Sequence, residues 1–418
     1  MLTKRVITSL LALTVLCALL MSACGGSSSS TTNAGPSNQP ETITLWHNWQ
    51  GDYLNAKKAI FDAYHKQHPN ITIKLVQQDQ LVDKSITALK GGKGPDVIAW
   101  ADDSLGQLAA SRMVVPMDKY LSSDYINSTF TPAAAKAVTY NGKIYGVPET
   151  TEAITIMYNK KLVQSSDMPK TTDELLNFSK TFKEKNPGKY GVVWDTTDAY
   201  FNAPWFYGFG GVYVTEDGKV GLNSAKSLEA GKFINSFRPY LPKQISYDVA
   251  SSLFTEGKAA AIINGPWSYS DYATKSKMDI GFAPLPKVTA NNNAPAAPFV
   301  GVKSMWMTKI AKDPATIADI MKFYTSKDNQ ISMIKTTGEI PANAAAASDK
   351  AVTENVAIAS YSEQAKVGNP LPNTPFMSAV WKPVKDALTA SWSGSQSVDN
   401  AFNAAQKAAE QGVKSINS

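Results

Sequence analysis

The chain has 418 residues, with 41 Lys and Arg against 35 Asp and Glu, three histidines and two cysteines. That length suits two domains at about 100–200 residues each. The basic residues are scattered singly, so the net charge of +6 forms no stripe for a nucleic-acid partner.

The N-terminus carries Lys4 and Arg5, and an almost wholly apolar run follows from Val6 to Met21. This is the pattern of a secretory leader, and the run is short of the about 20 residues that a membrane span needs. It ends in Met21-Ser22-Ala23-Cys24, which resembles a bacterial lipobox. Cleavage is expected before Cys24, whose thiol would then carry a lipid. Cys17 would leave with the leader, so the mature domain would hold no free thiol for a disulfide or thiolate catalysis. A Ser-His-Asp triad or a multi-histidine metal site would have to draw on His47, His65 or His68. His65 and His68 read as solvated, and no metal or cofactor is expected.

Gly25 to Pro40 is mostly Gly, Ser, Thr, Asn and Pro with no apolar pattern, a flexible tether. Sixteen such residues span about 20–24 Å on average. Folding is expected from Thr42. Ile43 to Trp46 reads as a strand and Tyr53 to Gln67 as a helix with its stripe at Tyr53, Ala56, Ile60, Ala63 and Tyr64. Ile71 to Val76 reads as a strand, Leu81 to Leu89 as a helix, Asp96 to Trp100 as a strand and Ser104 to Met113 as a helix. This order predicts an α/β fold with mixed, mainly parallel sheets and helices on both faces. Ligands in such sheets bind beyond the carboxyl ends of the strands. Those ends carry Trp46-His47-Asn48-Trp49 and Trp100-Ala101-Asp102-Asp103, two clusters of rings and hydrogen-bonding groups. Asp96 reads as a turn or cap residue.

Asn141-Gly142 marks a hairpin, and extended chain is expected over Glu149 to Tyr158. A helix follows over Thr172 to Lys185, capped by Thr171 or Thr172. Leu228 to Phe237 and Ser246 to Thr255 read as helices, and Ala259 to Ile263 and Asp279 to Pro284 as strands. Pro314 to Thr325, Gln330 to Lys335, Phe376 to Ser391 and Ser397 to Ile416 read as helices. Pro383 should kink the third of these or mark a late start. Trp306 and Trp392 read as core, and Trp194 and Trp205 fit either core or site.

Several motifs occur together along nearly the whole mature chain. They include Gly94-Pro95-Asp96-Val97-Ile98-Ala99-Trp100-Ala101, Tyr140-Asn141-Gly142-Lys143 and Ile263-Asn264-Gly265-Pro266-Trp267. Pro298-Phe299-Val300-Gly301-Val302 and Pro372-Asn373-Thr374-Pro375-Phe376-Met377-Ser378-Ala379 follow. In this order they resemble the family 1 extracellular solute-binding proteins, and among them the maltose and maltodextrin binders. The resemblance implies a two-lobed, type II periplasmic-binding-protein-like fold. One lobe would hold residues 42–149 and 303–347, and the other residues 150–302 and 349–418. It also implies a sugar in the cleft between them, hinge closure and delivery to the permease subunits of an ABC importer. The expected product is an extracytoplasmic, lipid-anchored monomer.

By motif, the resemblance carries the sugar-stacking role onto Trp100, Tyr200, Trp267 and Trp381. A pyranose offers an apolar C–H face to such rings and a rim of hydroxyls to polar groups. Asp103, Glu152 and Asp198 correspond to the acceptors, and carboxylates suit vicinal hydroxyls. Lys385 stands where the family has an arginine. The first loop, His47-Asn48-Trp49-Gln50, lacks the family's acidic-lysine pair, and Trp49 offers an additional ring. Another oligosaccharide is the alternative ligand. A glycosidase is the rival class, with Glu152 and Asp198 as its carboxylates. The leader, tether and resemblance all point away from it.

Overall fold

The computed structural model describes residues 40–417. The leader, Cys24 and the tether as far as Asn38 and Gln39 lie outside the described residues. Among the described residues no helix is long and apolar enough to cross a membrane, and no cluster of acidic, His or Cys side chains could hold a metal.

Nine strands longer than two residues organise the described residues. They are β1 (Glu41–His47), β2 (Ile71–Gln77), β3 (Val97–Ala101), β4 (Gly146–Glu152), β5 (Thr155–Asn159), β6 (Tyr190–Val193), β7 (Ala259–Asn264), β8 (Ile280–Ala283) and β9 (Phe299–Met307). One sheet runs in the order Ile340–Pro341, β4, β9, β3, β1, β2, with Asn369–Pro370 also against β9. A second sheet runs β8, β5, β7, β6. The parallel order predicted for the first three strands holds, since β1 pairs parallel with both β2 and β3. The sheets are not mainly parallel. β9 runs antiparallel to β3 and β4, and β5 antiparallel to β7 and β8. The physical reason is the long excursion between β4 and β9. The chain leaves the first sheet, builds the second, and re-enters from the opposite end.

Between β4 and β9 the register shifts: Lys303 faces Thr150, but Ser304 faces Pro148. Glu149 is therefore an extra residue, a β-bulge that re-aims its neighbours. Its carbonyl is taken up by the Gln330 side chain, and its carboxylate by Lys57 and by Tyr324 Oη at 2.5 Å. Lys57 also sits 3.4 Å from Glu339, which accepts from Tyr53 Oη at 2.5 Å and from Thr150 Oγ1 at 2.7 Å. Lys57 lies on the buried stripe of the helix Gly51–Gln67, with Ile60, Phe61 and Tyr64.

The cores follow the two sheets. Ile43, Leu45, Phe61, Met305, Met321, Tyr324 and Ile358 pack in one. Ile156, Trp194, Trp205, Phe206, Ile262, Trp392 and Phe402 pack in another. A smaller cluster holds Leu81, Leu105, Leu108 and Trp306. Trp306 and Trp392 are core, as expected, and Trp194 and Trp205 are fully buried core rather than site.

Local chemistry explains most element boundaries. Thr171 caps the helix Thr172–Lys185 by accepting from Glu174 N, and Glu174 accepts in return from Lys170 N. Asn141 and Gly142 both have positive φ, as a two-residue hairpin turn between Thr139–Tyr140 and Lys143–Ile144 demands. The helix expected over 104–113 is shorter: a 3-10 turn, Asp102–Ser104, leads into Leu105–Ala110. The helix Met377–Ser393 starts well before Pro383 and runs through it, so Pro383 marks no late start.

Candidate functional site

The strand ends converge on one cleft of about 1370 Å³. Trp49, Trp100, Asp103, Glu152, Asp198, Tyr200, Trp267, Trp381 and Lys385 all line it. Trp100 stands near the end of β3, and Asp103 in the 3-10 turn that follows. Glu152 ends β4. Asp198 caps the helix Ala199–Gly208, and Tyr200 is that helix's second residue. Trp267 follows β7, while Trp381 and Lys385 stand on the helix Met377–Ser393.

Three of the rings cluster on one wall. Tyr200 lies 6.1 Å from Trp267 between centroids, and Phe299 lies 6.2 Å from Tyr200 and 5.8 Å from Trp381. The Asn264-Gly265-Pro266-Trp267 motif has a steric reason. A Cβ on Gly265 would stand 2.1 Å from the Trp267 ring, so only glycine lets the ring fold back there. Asn264 supports the turn by donating to Tyr272 Oη at 2.8 Å and accepting from Gly265 N.

Trp49 differs from the other rings. It is 3% exposed, stacks on His47 at 4.6 Å and lies nearly parallel to Phe61 at 6.3 Å. Only its margin reaches the cleft, so it holds the wall rather than offering an open face. His47 Nδ1 accepts from Trp49 N at 3.0 Å, and burial lowers the His47 pKa to about 4, so the ring is neutral at pH 7.

The acids surround the rings, Glu152 buried and Asp103 and Asp198 half-buried. Glu152 is 4% exposed, and burial, opposed by Lys303, pushes its pKa up to about 7. Glu152 Oε2 sits 3.3 Å from Lys303 Nζ, while Oε1 is buried without a hydrogen-bond partner. Asp103 rises to about 6 through burial, against the pull of the Trp381 N–H and Lys303. The Trp381 indole donates to Asp103 Oδ2 at 2.9 Å and ties the two walls together. Asp198 is raised by burial, although its Oδ1 accepts from Tyr200 N at 2.8 Å and Phe201 N at 3.1 Å. Asp96 is the structural residue expected, accepting from Thr44 N at 2.8 Å.

Sequence reasoning missed Lys303, Tyr53, Tyr247 and Ser251, which also line the cleft. For Lys303 a signal existed, since it is the lone charge in the largely apolar run from Phe299 to Met307. The cleft thus combines aromatic faces, buried acceptors and lysine donors, a set suited to a polyhydroxylated ligand.

Residues 59–360 match the family described as bacterial extracellular solute-binding protein. The chain belongs to that family. Its members are binding proteins, not enzymes, which removes the glycosidase reading. The chain is 29% identical over 350 residues to the maltotriose-binding protein of Pyrococcus abyssi, covering 83% of this chain and 76% of that one. It is 27% identical to the galactooligosaccharide-binding protein of Bacillus subtilis, over 97% of each chain. Among solved structures it resembles the maltose/maltodextrin-binding domain MalE of Bdellovibrio bacteriovorus bound to maltotriose. The TM-score is 0.83 at 28% identity, covering 90% of this chain and all of that one. These likenesses agree with the two-lobed binding-protein fold that the motifs implied.

Proposed function

We propose that this binding protein captures maltodextrins in the cleft and hands them to the permease subunits of an ABC importer. The observation that carries the reading is the placement of Trp100, Tyr200, Trp267 and Trp381 around one groove beside buried Glu152 and half-buried Asp103. Four rings exceed what one pyranose can cover, so the ligand is an oligosaccharide. Trp100, Tyr200, Trp267 and Trp381 would stack on sugar faces, and Asp103, Glu152, Asp198 and Lys385 would bond hydroxyls.

The lobes would meet at β4 and β9: β9 gives Phe299 to one core and Val302, Met305 and Met307 to the other, and β4, which packs Val147 in the first core, is followed by Ile154 of the second. Val352 and Ile358 pack with the first core, which supports moving the second lobe's return from 349 to a point after Ile358. The Met21-Ser22-Ala23-Cys24 motif and the tether support lipid anchoring at Cys24, outside the cytoplasm. Acylated Cys24 is the expected N-terminus in mass spectrometry of membrane-extracted protein.

Calorimetric titration of glucose, maltose, maltotriose and maltotetraose tests the ligand. Affinity should rise with chain length, reaching the micromolar range, about −8.2 kcal/mol. Equal affinity for glucose and maltotriose would show that the rings do not form the groove. A galactooligosaccharide series belongs in the same titration, because a relative with that ligand matches 97% of the chain. Tighter binding of that series would replace the maltodextrin reading.

A further inference from the structure

We infer that Lys303 is a positioning and specificity-determining residue of the groove. It holds the Glu152 carboxylate toward the cleft and offers its remaining N–H groups to a sugar oxygen beside Trp100. The inference rests on the reading of the cleft as a sugar groove.

A lysine is costly inside a sheet unless it is paired. Lys303 lies in β9, is 22% exposed and lines the cleft. Its ammonium stands 3.3 Å from Glu152 Oε2 and 5.3 Å from the centroid of the Trp100 ring. Burial alone would lower the Lys303 pKa, but Glu152 and Asp103 outweigh it and keep the ammonium charged. An ammonium has three donors, and one carboxylate oxygen engages one of them. Glu152 also has Oε1 buried and unpartnered. The pair therefore presents spare lysine donors at the margin of an aromatic face, while Glu152 Oε1 stays closed off from the cleft. A pyranose oxygen can accept from Lys303 beside the Trp100 face, while Lys303 keeps its pairing with Glu152 Oε2.

Local geometry supports a dedicated placement. Lys303 faces Thr150 across the step before the Glu149 bulge, and Gly301 faces Glu152. Val302 N donates to Asp102 Oδ1 at 2.9 Å, which fixes β9 beside the Asp103 turn. The charged and titratable groups that act on Glu152 are Lys303, Glu339 and Lys57, while Tyr53 and Tyr200 feel its charge. Of these, Lys303 is the cation paired directly with it among the described residues.

Maltotriose is titrated into wild type, Lys303→Met, Lys303→Arg, Glu152→Gln and the Lys303→Met/Glu152→Gln double variant. Lys303→Met should weaken binding about tenfold or more, with Lys303→Arg recovering most of it. The double variant should lose much less than the product of the two single losses, because the residues act as a unit. In Lys303→Met the acid fall-off in affinity should move to higher pH, since Glu152 loses the cation that favours its charged form. Unchanged affinity and pH profile in Lys303→Met, or fully multiplicative losses, would overturn the inference. Wild type binding no glucan would instead reject the proposed ligand. Thermal midpoints of ligand-free protein across pH then decide Lys303's hold on Glu152: a titration shifted upward in Lys303→Met supports it, and an unshifted one overturns it.

Discussion

Trp267 shows how one ring depends on its neighbours. Its ring folds back over Gly265, where a Cβ would stand 2.1 Å away. Trp267→Ala should cost about 1–3 kcal/mol of sugar affinity if the ring is a central platform. Gly265→Ala should displace the same ring and produce a loss in the same direction, read by calorimetry with maltotriose. Glu152 adds a pH signature at the same scale. Its pKa in the folded chain is raised from 4.5 to about 7, so the folded state binds the proton more tightly than the unfolded state. Stability contributed by protonated Glu152 is therefore present at low pH and is lost as pH rises through about 7. Asp103, raised to about 6, acts in the same sense, whereas His47, lowered to about 4, favours folding as pH rises. Glu152→Gln in the ligand-free protein should gain stability relative to wild type as pH rises toward about 8, on top of a pH-independent cost of leaving Lys303 without its carboxylate. The gain should shrink toward about pH 5. Chemical denaturation at both pH values checks this, and an equal gain at both would contradict the burial argument.

At the scale of elements, the helix Ala199–Gly208 links local folding to the site. It is buried on nearly every side, so it has no polar face and no clear helical period to read. Its start is set by Asp198, which accepts from Tyr200 N and Phe201 N and points Tyr200 into the cleft. Asp198→Ala should lower stability by about 1 kcal/mol, the usual cost of losing such a cap. Asp198→Asn keeps a capping oxygen and should hold stability within a few tenths of that of wild type. If the charge also bonds sugar hydroxyls, Asp198→Asn should weaken maltotriose binding while the helix stays capped. Thermal unfolding and calorimetry of the two variants separate these roles.

At the scale of the whole molecule, β4 and β9 pass between the two cores. The bulge at Glu149 joins them to a buried cluster of Lys57, Glu149, Glu339, Tyr53 and Tyr324. Cores joined through β9, which packs in both, should unfold together. Maltotriose at about 100 times its Kd should add about 2.7 kcal/mol to that single transition. Calorimetric scanning would show two transitions, with only one moved by sugar, if the groove belonged to one core alone. The cross-cleft bond from Trp381 to Asp103 and the ion pair of Lys275 with Asp52 at 3.6 Å accord with walls that act together.

Much of the molecule was legible in the chain. Periodicity placed β1 to β3, the helices between them and the capped helix Thr172–Lys185, because local patterns set those elements. The Gly-Pro-Asp and Asn-Gly-Pro-Trp motifs, with the family pattern they belong to, located the rings and acids that now line one cleft. Other features depended on partners distant in sequence. Lys57 looks like a surface lysine until Glu149 and Glu339 surround it. The antiparallel return of β9 depends on where the second sheet ends, and Trp49 is closed off by His47 and Phe61. Local composition and motifs determined the elements and the set of candidate side chains. Burial, strand direction and the pairing of Lys303 with Glu152 were decided only by tertiary structure, because each is an interaction between segments that meet only in the folded chain.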